Sequence, residues 1–286
     1  MRIGAHVSTA GSLDKAIDRA MAIEAEAIQI FGSPPQGWAF KQQTSATLDL
    51  FQQKAREKDV HQAVFMHGVY LVNLATENPD QLVKGVDSLT KTLTLAGQIG
   101  ARGVIFHVGS HKGVGLEATL GQISGAMKQA LNESEGAAWL IIENNAGQGN
   151  NVGGNFHEIA QIMDAVGSDR VKVCLDTQHS FASGYNVATA EGIAATMDEF
   201  ESEIGLGNLV AVHANDSKIP LAGGRDRHEN IGEGFIGREG FLNIMKHPAF
   251  REVPFLLEVP GFEDTGPDAE NIRRLKEIRD QALGRE

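Results

Sequence analysis

The chain has 286 residues, 42% of them hydrophobic, one cysteine and a formal net charge of −12. This length suits a single α/β barrel with a large core, and the apolar fraction excludes disorder as the default state. The acidic balance argues against a generic nucleic-acid coat protein, yet it permits a nucleic-acid enzyme whose carboxylates surround cations.

Taken in chain order, eight apolar runs punctuate the sequence. They are RIGAH ending at His6, AIQIF at Phe31, AVFMH at His67, GVIFH at His107, WLIIE at Glu143, VKVCLD at Asp176, LVAVH at His213 and PFLLE at Glu258. Between them lie helical patterns. Residues 11–25 carry Leu13, Ile17 and Met21 at one-turn spacing, and residues 45–58 carry Leu48, Phe51 and Ala55. Residues 79–99 open on Pro79 and Asp80, a favourable first-turn pair, and repeat Leu82, Val86, Leu89, Leu93 and Ala96. Similar patterns occupy 116–135, 155–166, 189–204, 238–247 and 267–283. Strand–helix alternation predicts a parallel sheet, and eight units predict closure into a (β/α)8 TIM barrel, one domain over 1–286.

No apolar stretch approaches the roughly 20 residues that span a bilayer. No basic-then-apolar leader precedes the first strand at Arg2. Cys174 has no partner and sits inside an apolar run, so it reads as a small buried hydrophobe. A reducing, cytoplasmic setting without membrane contact is expected.

Two loops exceed what a scaffold needs, 144–155 (NNAGQGNNVGGN) and 214–237 (ANDSKIPLAGGRDRHENIGEGFIG). In such barrels the chemistry sits at the C-terminal ends of the strands. The glycine loop lacks the phosphate-cradle pattern, so no nucleotide cofactor is expected.

The strand ends and these loops offer His67, His107, Glu143, Asp176, His179, His213, Asp226, His228 and Glu258. All nine are nitrogen or oxygen donors of the kind that suit zinc, manganese or iron. Asp176 and His179 are spaced D-x-x-H, and Asp226 and His228 D-x-H, so each pair can grip one ion from a turn. A lone carboxylate after an apolar run, as at Glu143 or Glu258, is costly to bury unpaired. A lone histidine at a strand end is more often a packing residue. His61, His157 and His247 read as solvated, whereas His6 and His111 lie at the expected active face, where they would support a ligand or contact substrate.

The stretches GAHVS (4–8), HGVYLVNLA (67–75), FHVGSH (106–111), IIENNAGQG (141–149), CLDTQHSFASGY (174–185), HANDSK (213–218), DRHENIGEGFIG (226–237) and LLEVPG (256–261) closely resemble the endonuclease IV family of apurinic/apyrimidinic endonucleases. The resemblance implies three metal ions, usually zinc, with manganese possible at one site. It implies that His67, His107 and Glu143 hold the first ion. Glu143 would bridge to a second, completed by Asp176, His213 and Glu258, and His179, Asp226 and His228 would hold the third. It also implies catalytic roles for Glu143 and Glu258, and double-stranded DNA containing abasic sites as the partner of a monomer. Tyr70 and Leu71 match residues that wedge into the base stack, with Arg225 and Arg227 nearby as further DNA contacts. The chain departs from the family pattern at Val108, where proline is usual, and at Gln178, where cysteine is common. It departs also at Gln36, where the family commonly has an arginine that enters the damaged duplex.

The expected reaction is hydrolysis of the phosphodiester 5′ of an abasic site, leaving a 3′-hydroxyl and a 5′-deoxyribose phosphate, with trimming of blocked 3′ ends beside it. Two alternatives share these features. One is a divalent-metal sugar isomerase or epimerase on the same barrel, against which Asp226, His228 and His179 discriminate. The other is a barrel that binds abasic DNA without cutting it.

Overall fold

The structure is a computed structural model that describes residues 1–285. Glu286, the last residue of the expected domain, lies outside the described residues. Eight parallel strands close a barrel: β1 (Ile3–His6), β2 (Ala27–Phe31), β3 (Val64–His67), β4 (Gly103–Phe106), β5 (Trp139–Glu143), β6 (Val171–Asp176), β7 (Leu209–His213) and β10 (Phe255–Leu257). Strand β1 completes the ring by pairing with both β2 and β10. The closure is tight at Gly4, where a Cβ would stand 2.0 Å from the Ala27 carbonyl oxygen. The apolar runs are near-continuous because both faces of each strand are covered.

Helices α1 (Lys15–Ala22), α2 (Ser45–Glu57), α3 (Pro79–Ile99), α4 (Leu116–Glu133) and α5 (Phe156–Val166) alternate with the strands, followed by α7 (Ala190–Glu203), α8 (Gly237–Lys246) and α9 (Ala269–Ala282). Their starts follow the sequence. The Asn78 side chain caps α3 by accepting from Asp80 and Gln81, with Pro79 in the first turn, and Asp268 caps α9 by accepting from Asn271. Helix α3 stops at Gly100, whose φ of 74° terminates the helix in the left-handed conformation without a Cβ penalty. No helix among the described residues is long and apolar enough to cross a membrane.

Two elements go beyond the sequence reading. A short helix α6 (Thr177–Ser183) follows β6 without a loop, started by the Asp176 side chain accepting from His179 N–H. Within the 214–237 loop, β8 (Asp216–Ser217) and β9 (His228–Glu229) form a two-residue antiparallel hairpin.

Strand alternation explains where the polar groups go. Ala27, Phe65, Ile105, Ile141, Cys174, Ala211 and Leu256 form an apolar layer apart from the main core. Two residues further along each strand direction stand Gln29, His67, His107, Glu143, Asp176, His213 and Glu258. A period of two puts these on the same inward face, one layer higher. Register shifts between Val173 and Cys174 so that Asp176 pairs level with His213. Cys174 is fully buried as expected, and burial pushes its thiol up to about 11.

Candidate metal centre

The upper layer gathers three groups of donors, the ligand atoms of each lying within 4.8 Å of one another. The first is His67, His107 and Glu143, and the second is Glu143, Asp176, His213 and Glu258. Both match the sets expected from sequence. The third is Asp176, His179 and His228. Asp226, expected there, lies across it, 3.4 Å from His179 Nε2 and 3.2 Å from His228 Nε2, on a more exposed side chain.

Glu143 is the hub. Its Oε2 faces His67 Nε2 at 3.2 Å and His107 Nε2 at 3.3 Å, while its Oε1 faces His213 Nδ1 at 2.9 Å. Burial alone would raise its pKa. The charges of His107 and His213, with hydrogen bonds from His179 and His213, overcome that and hold it well below the usual carboxylate range. Burial likewise opposes ionisation of Glu258, but the charge of His213 and a bond from His6 depress it. For Asp226 the neighbouring imidazoles of His179 and His228 win over burial and bring it down to about 2. Burial disfavours charge on His179 and His213 too, yet surrounding carboxylates raise both well above the ordinary imidazole value. His107 and His6 are lowered, chiefly by burial.

The ring nitrogens are sorted in the way a cation requires. His67 Nδ1 donates to the Gly68 carbonyl at 2.7 Å and His179 Nδ1 to the Asn144 carbonyl at 2.9 Å. His228 Nδ1 lies 3.4 Å from the Glu258 carbonyl. Each back-side partner turns the other nitrogen inward. His179 Nε2 and His228 Nε2, on the inward side, are buried with no hydrogen-bond partner, whereas His107 turns Nε2 inward and its unpartnered nitrogen is the outer Nδ1. Unpartnered imidazole nitrogens facing ionised carboxylates form a donor set that fits divalent cations.

A set of buried amides that sequence reading passed over holds this constellation. Asn144 accepts from Asp176 N–H and donates to Ser180 Oγ. Asn215 donates to Asp176 Oδ2 at 2.7 Å and accepts from Glu258 N–H at 2.9 Å. Gln178, a departure from the family pattern, donates to the Arg225 carbonyl and accepts from Arg227 N–H, pinning the turn that carries Asp226. Asn144 and Asn215 follow Glu143 and His213 by one and two positions, and that adjacency was the available signal.

The remaining expected residues lie around the rim. His6 touches the cluster, its Nδ1 being 3.2 Å from Glu258 Oε1. His111 does not: its Nδ1 accepts from Gly113 and Gly115 N–H and shapes its own loop. Tyr70 is 57% exposed, its ring packed edge-on against Phe31 at 5.4 Å. Leu71 beside it is half-buried, while Gln36, Arg225 and Arg227 are exposed. Two of the three histidines expected to be solvated are not. His61 is half-buried with an unpartnered Nδ1, and His247 accepts from Ala249 N–H at the end of α8 with its ring edge-on to Phe250. His157 is exposed and pairs with Glu203.

The model of a xylose isomerase-like TIM barrel matches residues 17–278. A protein described as "Probable endonuclease 4" from Halothermothrix orenii is 38% identical over 96% of this chain and 99% of its own. Another so described, from Aquifex aeolicus, is also 38% identical, over 96% of each chain. The chain belongs to the endonuclease IV family. The solved endonuclease IV of Thermus thermophilus agrees, with a TM-score of 0.87, 30% identity, and 98% and 100% coverage of the two chains. Membership makes the chain an enzyme, a hydrolytic nuclease. A D-tagatose 3-epimerase-like protein overlays with a TM-score of 0.70 at 17% identity over 99% and 97% of the chains, a likeness of fold alone. The sugar-epimerase alternative therefore has a shared fold behind it and no more, and the non-cutting alternative gives way to an enzyme.

Proposed function

We propose that this chain is a base-excision-repair endonuclease acting on double-stranded DNA. On this reading it hydrolyses the phosphodiester 5′ of an abasic site, leaving a 3′-hydroxyl and a 5′-deoxyribose phosphate, and trims blocked 3′ ends. It acts as one barrel domain, a cytoplasmic monomer. The observation that carries the reading is the inward convergence of eight nitrogen- and oxygen-bearing side chains in three groups, with Asp226 beside the third and with back-side hydrogen bonds turning His67 and His179 inward. Three zinc ions fit those donors, or two with manganese at one site: the first at His67, His107 and Glu143, the second at Glu143, Asp176, His213 and Glu258. The third falls to His179, His228 and Asp226, with Asp176 within reach. When bound, such ions supply Lewis acidity and neutralise charge developing on phosphate oxygens.

The chain's own residues do the rest. Glu258, held ionised and partly open to solvent, orients the attacking water by accepting its hydrogen. Glu143 keeps two donor groups in register. Tyr70 and Leu71 enter the base stack, and the exposed guanidiniums of Arg225 and Arg227 meet backbone phosphates. Extrusion of the baseless sugar brings the bond down to the cluster.

Incubation of zinc-verified protein with a duplex bearing one abasic site tests this. Incision 5′ of that site, with the undamaged duplex intact and a 3′ end that a polymerase extends, is expected. Failure to incise overturns the reading.

A further inference from the structure

Four imidazoles of the centre have their second nitrogen engaged. His67, His179 and His228 are turned toward backbone carbonyls, so the fold itself sets their orientation. His213 alone relies on a side chain. Its Nε2 lies 2.8 Å from Gln29 Oε1. Gln29 is fully buried, and its Nε2 stands 2.6 Å from Glu258 Oε1 and 2.9 Å from His6 Nδ1.

The contacts with His213 and Glu258 fix each other. An ionised carboxylate can only accept, so the edge of Gln29 facing Glu258 must be the amide NH2. The carbonyl edge then faces His213, and an oxygen can only accept, so His213 must carry its hydrogen on Nε2. Nδ1 is then the nitrogen whose lone pair is left for a cation to take. That lone pair points at the interior of the second donor group, 2.9 Å from Glu143 Oε1 and 3.3 Å from Glu258 Oε2. Orientation of Gln29, tautomer of His213 and placement of Glu258 thus form one chain of hydrogen bonds, and only Gln29 touches both ends.

We infer that Gln29 is a positioning residue for the second metal site: it selects the Nδ1 donor of His213 and holds Glu258 against it. The inference rests on the proposed metal centre. An apolar side chain of similar size would leave the His213 ring free to take either tautomer and would leave Glu258 Oε1 with only His6 of its two side-chain neighbours. Loss of such a supporting partner typically weakens metal binding about 10–100-fold.

Zinc affinities of the intact protein and of Gln29→Leu, measured by competition against a chelating dye, are the test. One of the parent's sites is expected to weaken by about 10–100-fold while the others hold. The visible absorption of the cobalt-loaded form is expected to change, and the melting temperature of the metal-free form to stay near the parent's. Gln29→Glu keeps an acceptor for His213 but opposes Glu258 with a like charge, so its cobalt spectrum should stay nearer the parent's than that of Gln29→Leu. Equal zinc affinities and equal spectra in parent and Gln29→Leu overturn the inference while leaving the metal centre standing. A parent that binds no zinc overturns both. Because Gln29→Leu has a buried site to fill, histidine 15N spectra of the zinc-loaded parent give an independent reading. His213 must show a protonated Nε2 and a ligating Nδ1, and the opposite assignment overturns the inference with no variant needed.

Discussion

Glu258 sits where three kinds of contact meet: it faces His213, touches His6 and Gln29, and has its backbone held by Asn215. Glu258→Gln preserves that shape and removes the charge, so incision should fall below detection while the fold persists; wild-type cutting with metals verified would exclude the role given to Glu258. At the rim, Tyr70→Ala should weaken binding to abasic duplex by about 1–3 kcal/mol, the usual worth of a base–aromatic stack, read by titration. Gln36→Arg should tighten binding and steepen its salt dependence, by roughly 0.9 in the slope of log affinity per added phosphate contact. The exposed position of Gln36, in a loop whose Pro35 carbonyl accepts from Tyr70 N–H, gives an arginine there open access. Six of the nine donors were legible because each ends an apolar run, where an ionisable group needs a reason, and His179, Asp226 and His228 by their D-x-x-H and D-x-H spacing. Gln29 was not: one amide inside AIQIF has no cost visible in one dimension, and its partners His213 and Glu258 are 184 and 229 residues away.

Among elements, the eight strands were legible by their apolar continuity, though β4 and β10 stop one residue short of His107 and Glu258. Helix α6 was hidden because its first turn follows a strand directly and its residues, TQHSFAS, are buried nearly all round and show no polar face. The β8–β9 hairpin was hidden for a different reason. Nothing in its two-residue strands demands pairing; the Asp216 carboxylate gathers the loop, accepting from Gly232, Gly234, Ile236 and Gly237 N–H at 2.9–3.2 Å. Asp216→Ala strands those amides. It should cost roughly 2–4 kcal/mol, since each buried unsatisfied group costs on the order of 1–3 kcal/mol and some will reach water; urea unfolding measures it. Because His228 lies on β9, incision should also fall. Gly4→Ala, by contrast, forces a Cβ into the Ala27 carbonyl across the closing strands. Accumulation of a protein as stable as the parent would contradict the closeness of that approach.

For the whole molecule, barrel closure and site assembly are one event. Donors from His67 to Glu258 reach one point only when all eight strands are in place. Stripping the ions with a chelator should therefore lower the melting temperature, because ions that bind only the folded chain add about 2.7 kcal/mol each at 100 times their dissociation constant. Calorimetry with and without zinc checks it, and equal melting curves would mean the cluster holds no cation. The fold class and the extent of the barrel were legible from alternation alone, whereas the ring's seam was not, because sequence order does not say that β1 meets β10. That seam has a consequence for how the protein is made. A ribosome adds about 5–20 residues per second, so β1 waits many seconds for its neighbour. Until Phe255–Leu257 emerges, β1 and β7 each present an unpaired parallel edge to the crowded cell. The last ligand is delivered with that same strand, so a chain still being synthesised has no complete nuclease centre, and the interval in which it is most prone to aggregate is one in which it cannot yet cut.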